Sequence, residues 1–352
     1  MSALMPGRLP VLALLVLLMV GVPASPGQAS VLPPPGAVVT GADASWPNCP
    51  VGLGVPDRRT LGLPLPLPEA RFVVLGLTNG YGFTNNPCLA SQVAWAKARH
   101  LWLGAYAHTG YPTSAELQQY GGTGTLAERL VRTGRAQASA AVLSMRQAGL
   151  AAPMVWIDVE PNSARPWTAN HAAHNAVLDG VYAGYREAGL RVGVYSYASA
   201  WQQITGRRQT PGLPAWVPAG RTNRAAALTR CTGAFNGGQV WITQWTDGVR
   251  DFDVTCPGVT ATAPVPHPLT AYLGQVLRQG STGPAVRALQ VSLGISADGS
   301  FGPITAAAVR RFQVARGLTV DGVVGPQTWR ALGAGTTRSG QGSIFPLAFG
   351  ST

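Results

Sequence analysis

The chain has 352 residues, more than the ~100–200 that one domain usually holds, so two domains are expected. Only 11% of the residues are charged, yet the formal net charge is +12. Lys97 is the only lysine, and the arginines occur singly or in doublets such as Arg58-Arg59, Arg207-Arg208 and Arg310-Arg311, which argues against the basic stripe of a nucleic-acid partner and fits a solvated surface or loose attraction to anionic polymers.

At the N-terminus Arg8 precedes an apolar run from Val11 to Val22, and small residues follow at Ala24, Ser25, Gly27 and Ala29. This reads as a signal peptide over 1–29, cleaved near Ala29. The run is shorter than the ~20 residues that span a bilayer and Pro23 ends it, so a secreted, extracellular or wall-associated monomer without stable membrane insertion is expected. Residues 30–37, with Pro33-Pro34-Pro35, read as a linker.

Residues 38–256 alternate short apolar runs with longer amphipathic stretches. Strands are predicted at Val38–Ser45, Phe72–Leu77, Leu101–His108, Met154–Glu160, Arg191–Tyr197, Ala215–Pro218 and Gln239–Trp245. Helices are predicted at Leu89–His100, Leu126–Leu150 and Thr168–Leu190. Apolar strands alternating with helices predict an α/β domain with a parallel sheet covered on the outside. So many units suggest an irregular TIM-type barrel, less regular after about residue 205. A doubly wound open sheet competes, though no Gly-x-Gly-x-x-Gly follows the first strand.

Cys49, Cys88, Cys231 and Cys256 suit two disulfides outside the cell and permit three pairings. Cys49–Cys88 and Cys231–Cys256 are favoured, being nearest in the chain and flanking neighbouring predicted strands. No Cys-x-x-Cys occurs, and neither metal nor cofactor is expected. His171 and His174, without a carboxylate at ligand spacing, read as surface histidines.

Only fourteen residues are acidic, so their placement is informative. Asp158 and Glu160 end the apolar strand Met154-Val-Trp-Ile-Asp-Val-Glu160. Strand alternation puts both on one face, and in a barrel that face opens at the C-terminal rim, where active sites form. Like charges held close raise one pKa, leaving a protonated acid beside a carboxylate, the pair that glycosidic cleavage uses. A hydrogen-bonded pair without chemistry is the plain alternative. Asp43 ends the first strand and Asp253 follows the last, so closure of a barrel would bring both to the same mouth. Asp247 and Asp251 read as solvated turn residues. Among strand-end aromatics, Tyr106 and Trp245 are the candidates to stack on sugar rings.

These residues resemble glycoside hydrolase family 25, the lysozyme-like enzymes of peptidoglycan. The resemblance rests on Gly41-x-Asp43-x-Ser45, Asp158-x-Glu160, Gly104-Ala-Tyr106, Gln244 before Trp245, and Asp253-Val. It implies Glu160 as general acid, Asp158 as a group steering the substrate acetamido or stabilising the transition state, Asp43 and Asp253 in support, and Gln244 near the substrate. The chain departs from that pattern at Thr78-Asn-Gly80, Thr243-Gln-Trp245, Thr255 and Ser45-Trp-Pro-Asn-Cys49.

Residues 257–274 are a proline-rich linker. In 275–333, Asp-Gly-x-x-Gly-Pro-x-Thr occurs twice, from Asp298 and from Asp321, each a glycine turn leading to a proline near a helix start. Val286, Leu289 and Leu293, then Ala308, Val309 and Phe312, then Trp329 and Leu332 mark three short helices. The segment is similar to peptidoglycan-binding-like domains, which implies peptidoglycan as partner. Residues 334–352, rich in Gly, Ser and Thr, read as a flexible tail. The expected protein is a wall-targeted glycosidase, with a catalytically inactive wall-binding relative as the alternative.

Overall fold

A computed structural model describes residues 38–259, 269, 272–293, 295 and 297–332. The expected signal peptide, first linker and tail, and much of the proline-rich linker, lie outside the described residues. Eight strands close a barrel in chain order: β1 Thr40–Ala44, β2 Phe72–Gly76, β3 Trp102–His108, β4 Met154–Asp158, β5 Arg191–Tyr195, β6 Ala215–Arg221, β7 Val240–Thr246 and β8 Asp251–Thr255. Neighbours from β1 to β7 are parallel. β8 is antiparallel to both β7 and β1. Around the barrel lie α1 Leu89–Ala98, α2 Ser114–Gly121, α3 Leu126–Gln147, α4 His171–Glu187, α5 Ala198–Thr205 and α6 Arg224–Leu228.

The strands are apolar on both faces because both are covered. Val73, Leu75, Leu103, Ala105, Val155 and Ile157 pack outward in the same core as the apolar faces of α1, α3 and α4. Phe72, Val74, Trp102, Met154, Trp156 and Trp216 fill the barrel interior. Glycines make room for those rings: a Cβ at Gly41 would sit 2.4 Å from the Phe72 ring, and one at Gly193 2.4 Å from Trp156. The aromatic fill leaves the C-terminal rim to polar side chains.

Four elements went unpredicted. β8 carries two aspartates and reads as a turn, although Asp251-Phe-Asp-Val-Thr255 alternates strictly. α2 opens on a reciprocal cap, with Thr113 N–H donating to Glu116 Oε2 at 2.8 Å and Glu116 N–H to Thr113 Oγ1 at 3.2 Å; the Thr-x-x-Glu spacing was there to be read. α5 and α6, of eight and five residues, are too short to display a helical period in the sequence. The disulfides are Cys49–Cys88 and Cys231–Cys256, the favoured pairing.

The C-terminal helices are α7 Pro284–Leu293, α8 Pro303–Ala315 and α9 Pro326–Ala331, around Val286, Leu289, Phe301, Val309 and Trp329. The repeated motif has a physical cause. Gln290 Nε2 donates to Asp298 Oδ1 (2.7 Å), Ser300 O (2.9 Å) and Thr305 Oγ1 (3.0 Å), and its Oε1 accepts from Gly299 N–H (2.8 Å). Gln313 makes the same four bonds to Asp321, Val323, Thr328 and Gly322. Each buried glutamine thus clamps one glycine turn to the preceding helix. Gln313→Leu leaves the Gly322 N–H without its acceptor, at a cost of about 2 kcal/mol. Hydrogen exchange on the full chain should show the Gly322 amide exchanging roughly 30-fold faster.

Candidate active site

β3 and β4 run side by side, and their inward residues reach the rim together: Tyr106 and His108 from β3, Asp158 from β4. Glu160 stands two residues past Asp158, at the start of the loop. With Asp43 from β1 and Asp251 from β8, these side chains line one cleft of about 280 Å³. One wall comes from the β1–β2 connection, through Trp46, Arg58, Leu63 and Pro64, and the rest from the loops after β2 and β4 and from Val249 and Arg250 between β7 and β8.

Each carboxylate is held differently. Burial pushes the Glu160 carboxyl up to about 8, and the charges of Asp158, Asp43 and Asp251 add to the effect. Asp43 is raised well above its ordinary value, first by burial and then by Asp251, although Gln244 Nε2 donates to its Oδ2 at 2.7 Å. Gln244 is in turn fixed by the Tyr195 hydroxyl, which donates to its Oε1 at 2.8 Å. Asp158 Oδ2 lies 3.4 Å from His108 Nδ1, and Asn162 Nδ2 lies 3.3 Å from His108 Nε2. An amide donating to Nε2 assigns the proton to Nδ1, so His108 donates toward Asp158. Asp158 Oδ1 is buried and accepts no hydrogen bond from the described residues.

Asp43, Asp158, Glu160 and Tyr106, all expected at the site, meet in the cleft. Gln244 reaches it through Asp43. Asp253 does not line it. Because β8 runs antiparallel, Asp251 is the residue at the rim, and Asp253 lies two residues deeper, paired with Gly41 and Gln244 across the sheet. Asp253 is fully buried, accepts from Trp216 Nε1 at 2.9 Å, and is raised well above its ordinary value by burial and by Asp43. It supports the floor of the site rather than its mouth, and Asp251 is a cleft residue rather than a turn residue. Trp245 also falls away: with Gln244 facing in, alternation turns Trp245 to the other face, where it stacks on Phe252 at 5.3 Å.

His174 is fully buried rather than superficial, with Nδ1 against Ile204 O at 2.7 Å and Nε2 against Thr168 Oγ1 at 2.7 Å. His108, Arg58 and Asn162 were missed. His108 was legible, since it follows Tyr106 by two on one strand. Arg58 and Asn162 lie in loops, where no periodicity points to them.

Residues 282–332 match the family model described as a peptidoglycan binding domain, and residues 125–217 match that of lysozyme-like protein 1. Glycoside hydrolase family 25 lysozyme 4 of Dictyostelium discoideum is 27% identical over 103 residues, 28% of this chain and 34% of that protein. The chain is similar to family 25 lysozymes and, at its C-terminus, to peptidoglycan-binding domains. The alignment spans about a third of that lysozyme's length. A muramidase from Trichobolus zukalii is 18% identical with a TM-score of 0.39, over 62% of this chain and 93% of that one. A peptidoglycan-binding protein from Clostridioides difficile is 41% identical with a TM-score of 0.17, over 17% of this chain and 42% of that one. The stretch matching lysozyme-like protein 1 contains Asp158, Glu160, Tyr195 and Trp216.

Proposed function

We propose that this protein is an exported glycosidase that hydrolyses a β-1,4 bond of peptidoglycan, built as a barrel over 38–256 and a wall-binding module over 275–333. The observation that carries the reading is the Glu160 carboxyl, held protonated up to about pH 8 in a cleft it shares with three further carboxyl groups. Glu160 gives its proton to the glycosidic oxygen as the bond to the anomeric carbon breaks, and water supplies the hydroxyl that completes hydrolysis. Asp158 supplies negative charge to the oxocarbenium-like sugar, with His108 orienting it. Asp43, tied to Gln244, adds to the raising of Glu160, and Tyr106 forms part of the cleft on which the sugar rests.

The module holds the enzyme at its substrate, raising the local concentration of scissile bonds. Two disulfides support an extracellular or wall-associated location. Among the described residues no helix is long and apolar enough to cross a membrane.

The test is release of new reducing ends from insoluble peptidoglycan by the full chain after its leader is removed. Asp158→Asn should lower the initial rate about 10²-fold, the scale of losing one preorganised electrostatic contact in a transition state. Wild-type protein that binds the wall but releases no reducing ends would overturn the proposal.

A further inference from the structure

The connection between β1 and β2, residues 45–71, builds one wall of the cleft, and it is held rigidly. Cys49–Cys88 ties it to the start of α1. Asn79 grips it from the other side, its Oδ1 accepting from Val55 N–H at 2.7 Å and its Nδ2 donating to Arg58 O at 3.2 Å. On this wall the Arg58 guanidinium lies over the Tyr81 ring at 4.7 Å and near the Trp46 ring at 5.8 Å. Its Nη2 donates to Asn162 Oδ1 at 3.0 Å, and Asn162 also contacts His108. Gly80 makes the space, since a Cβ there would come within 2.7 Å of Arg58 Cδ.

Arg58 is therefore a fixed cation in the lining of a cleft that also holds Arg250 and four carboxyl groups. Its charge is not used up by those groups. Among the described residues Arg58 forms no ion pair within 4.0 Å, whereas Arg135, Arg165 and Arg208 each do. A substrate carboxylate that reaches this wall therefore meets a cation that no carboxylate of the described residues already pairs. A guanidinium stacked on an aromatic ring keeps its planar edge for the two oxygens of a carboxylate.

We propose that Arg58, presented by the disulfide-tied β1–β2 wall, is an anion subsite that takes a carboxylate substituent of the glycan, so that the cleft selects carboxylated over neutral sugar chains. This rests on the reading of the cleft as a glycan site and adds the residue that sets its charge preference.

The experiment is calorimetric binding to the full-length Glu160→Gln protein, with and without Arg58→Met. The probes are a soluble peptidoglycan tetrasaccharide with free carboxylates and the same fragment with its carboxylates amidated. Arg58→Met should weaken the carboxylate probe about 10–100-fold, the scale of a charge-assisted contact, and leave the amidated probe unchanged. Arg58→Lys should recover part of the loss. Equal weakening of both probes, which a collapsed wall would give, overturns the proposal, as does no weakening of either or no binding of the carboxylate probe without Arg58→Met. Binding without cleavage by the Glu160-intact protein would sink the enzymatic reading and leave the subsite standing. Cleavage with an indifferent Arg58→Met would do the reverse.

Discussion

Glu160→Gln is expected to lower the release of reducing ends from peptidoglycan by about 10³-fold, within the 10²–10⁴ range of general acid catalysis. Sedimentation with insoluble wall should be unchanged, because the C-terminal module is untouched. Glutamine keeps the shape of the side chain but has no proton to give, so the loss should appear in kcat rather than KM. The pH dependence follows from the same carboxyl. Glu160 is raised from 4.5 to about 8, so the active, protonated form is lost as pH climbs through 8, and the wild-type rate should fall there.

Stability should move in the same direction. A carboxyl raised by folding favours the native state fully below its unfolded pKa, and that contribution disappears as pH rises through the folded one. Unfolding midpoints of wild type should therefore drop between roughly pH 5 and pH 8. Glu160→Gln should show a shallower drop rather than none, since Asp43 and Asp253 are also raised. A variant with the wild-type slope would show that Glu160 does not titrate as described.

Opening the first disulfide should have the next largest effect. Cys49 and Cys88 are 39 residues apart, and closing such a loop in the unfolded chain corresponds to about 4 kcal/mol. The double serine variant should lose that stability in denaturant titrations. It should also raise KM, because the freed wall carries Trp46 and Arg58 into the cleft. The Cys231–Cys256 pair, separated by 25 residues, makes the control. Its loss should cost about 3.5 kcal/mol with little change in KM, since neither cysteine lines the cleft. Equal changes in KM would mean that the first disulfide has no special hold on the wall.

The barrel was legible because strands such as β2 and β4 are short apolar runs alternating with helices, and the Asp158–Glu160 face followed from strand alternation alone. The eighth strand was not, because Asp251 and Asp253 disguise it as a turn. That single omission accounts for placing Asp253 at the rim, where Asp251 stands. Applying the same alternation to Gln244 would have excluded Trp245 at once. Arg58 and Asn162 could not be found, because only the folded path of two loops brings them together. In the C-terminal module the repeat was plain, but the part played by Gln290 and Gln313 needed three dimensions: each reaches its turn across 8 to 15 residues of chain.

The reversed direction of β8 has a consequence for how the protein comes to life. Asp43 and Asp251 stand at opposite ends of the barrel sequence, yet they meet in one cleft only when β8 inserts between β1 and β7. Until that strand emerges, β1 has no partner on one side, Gln244 has no reason to reach Asp43, and the interior aromatics are open to water. Pairing so distant in sequence is slow to form. A partly synthesised barrel therefore lacks the complete cleft, which is assembled only by its last strand.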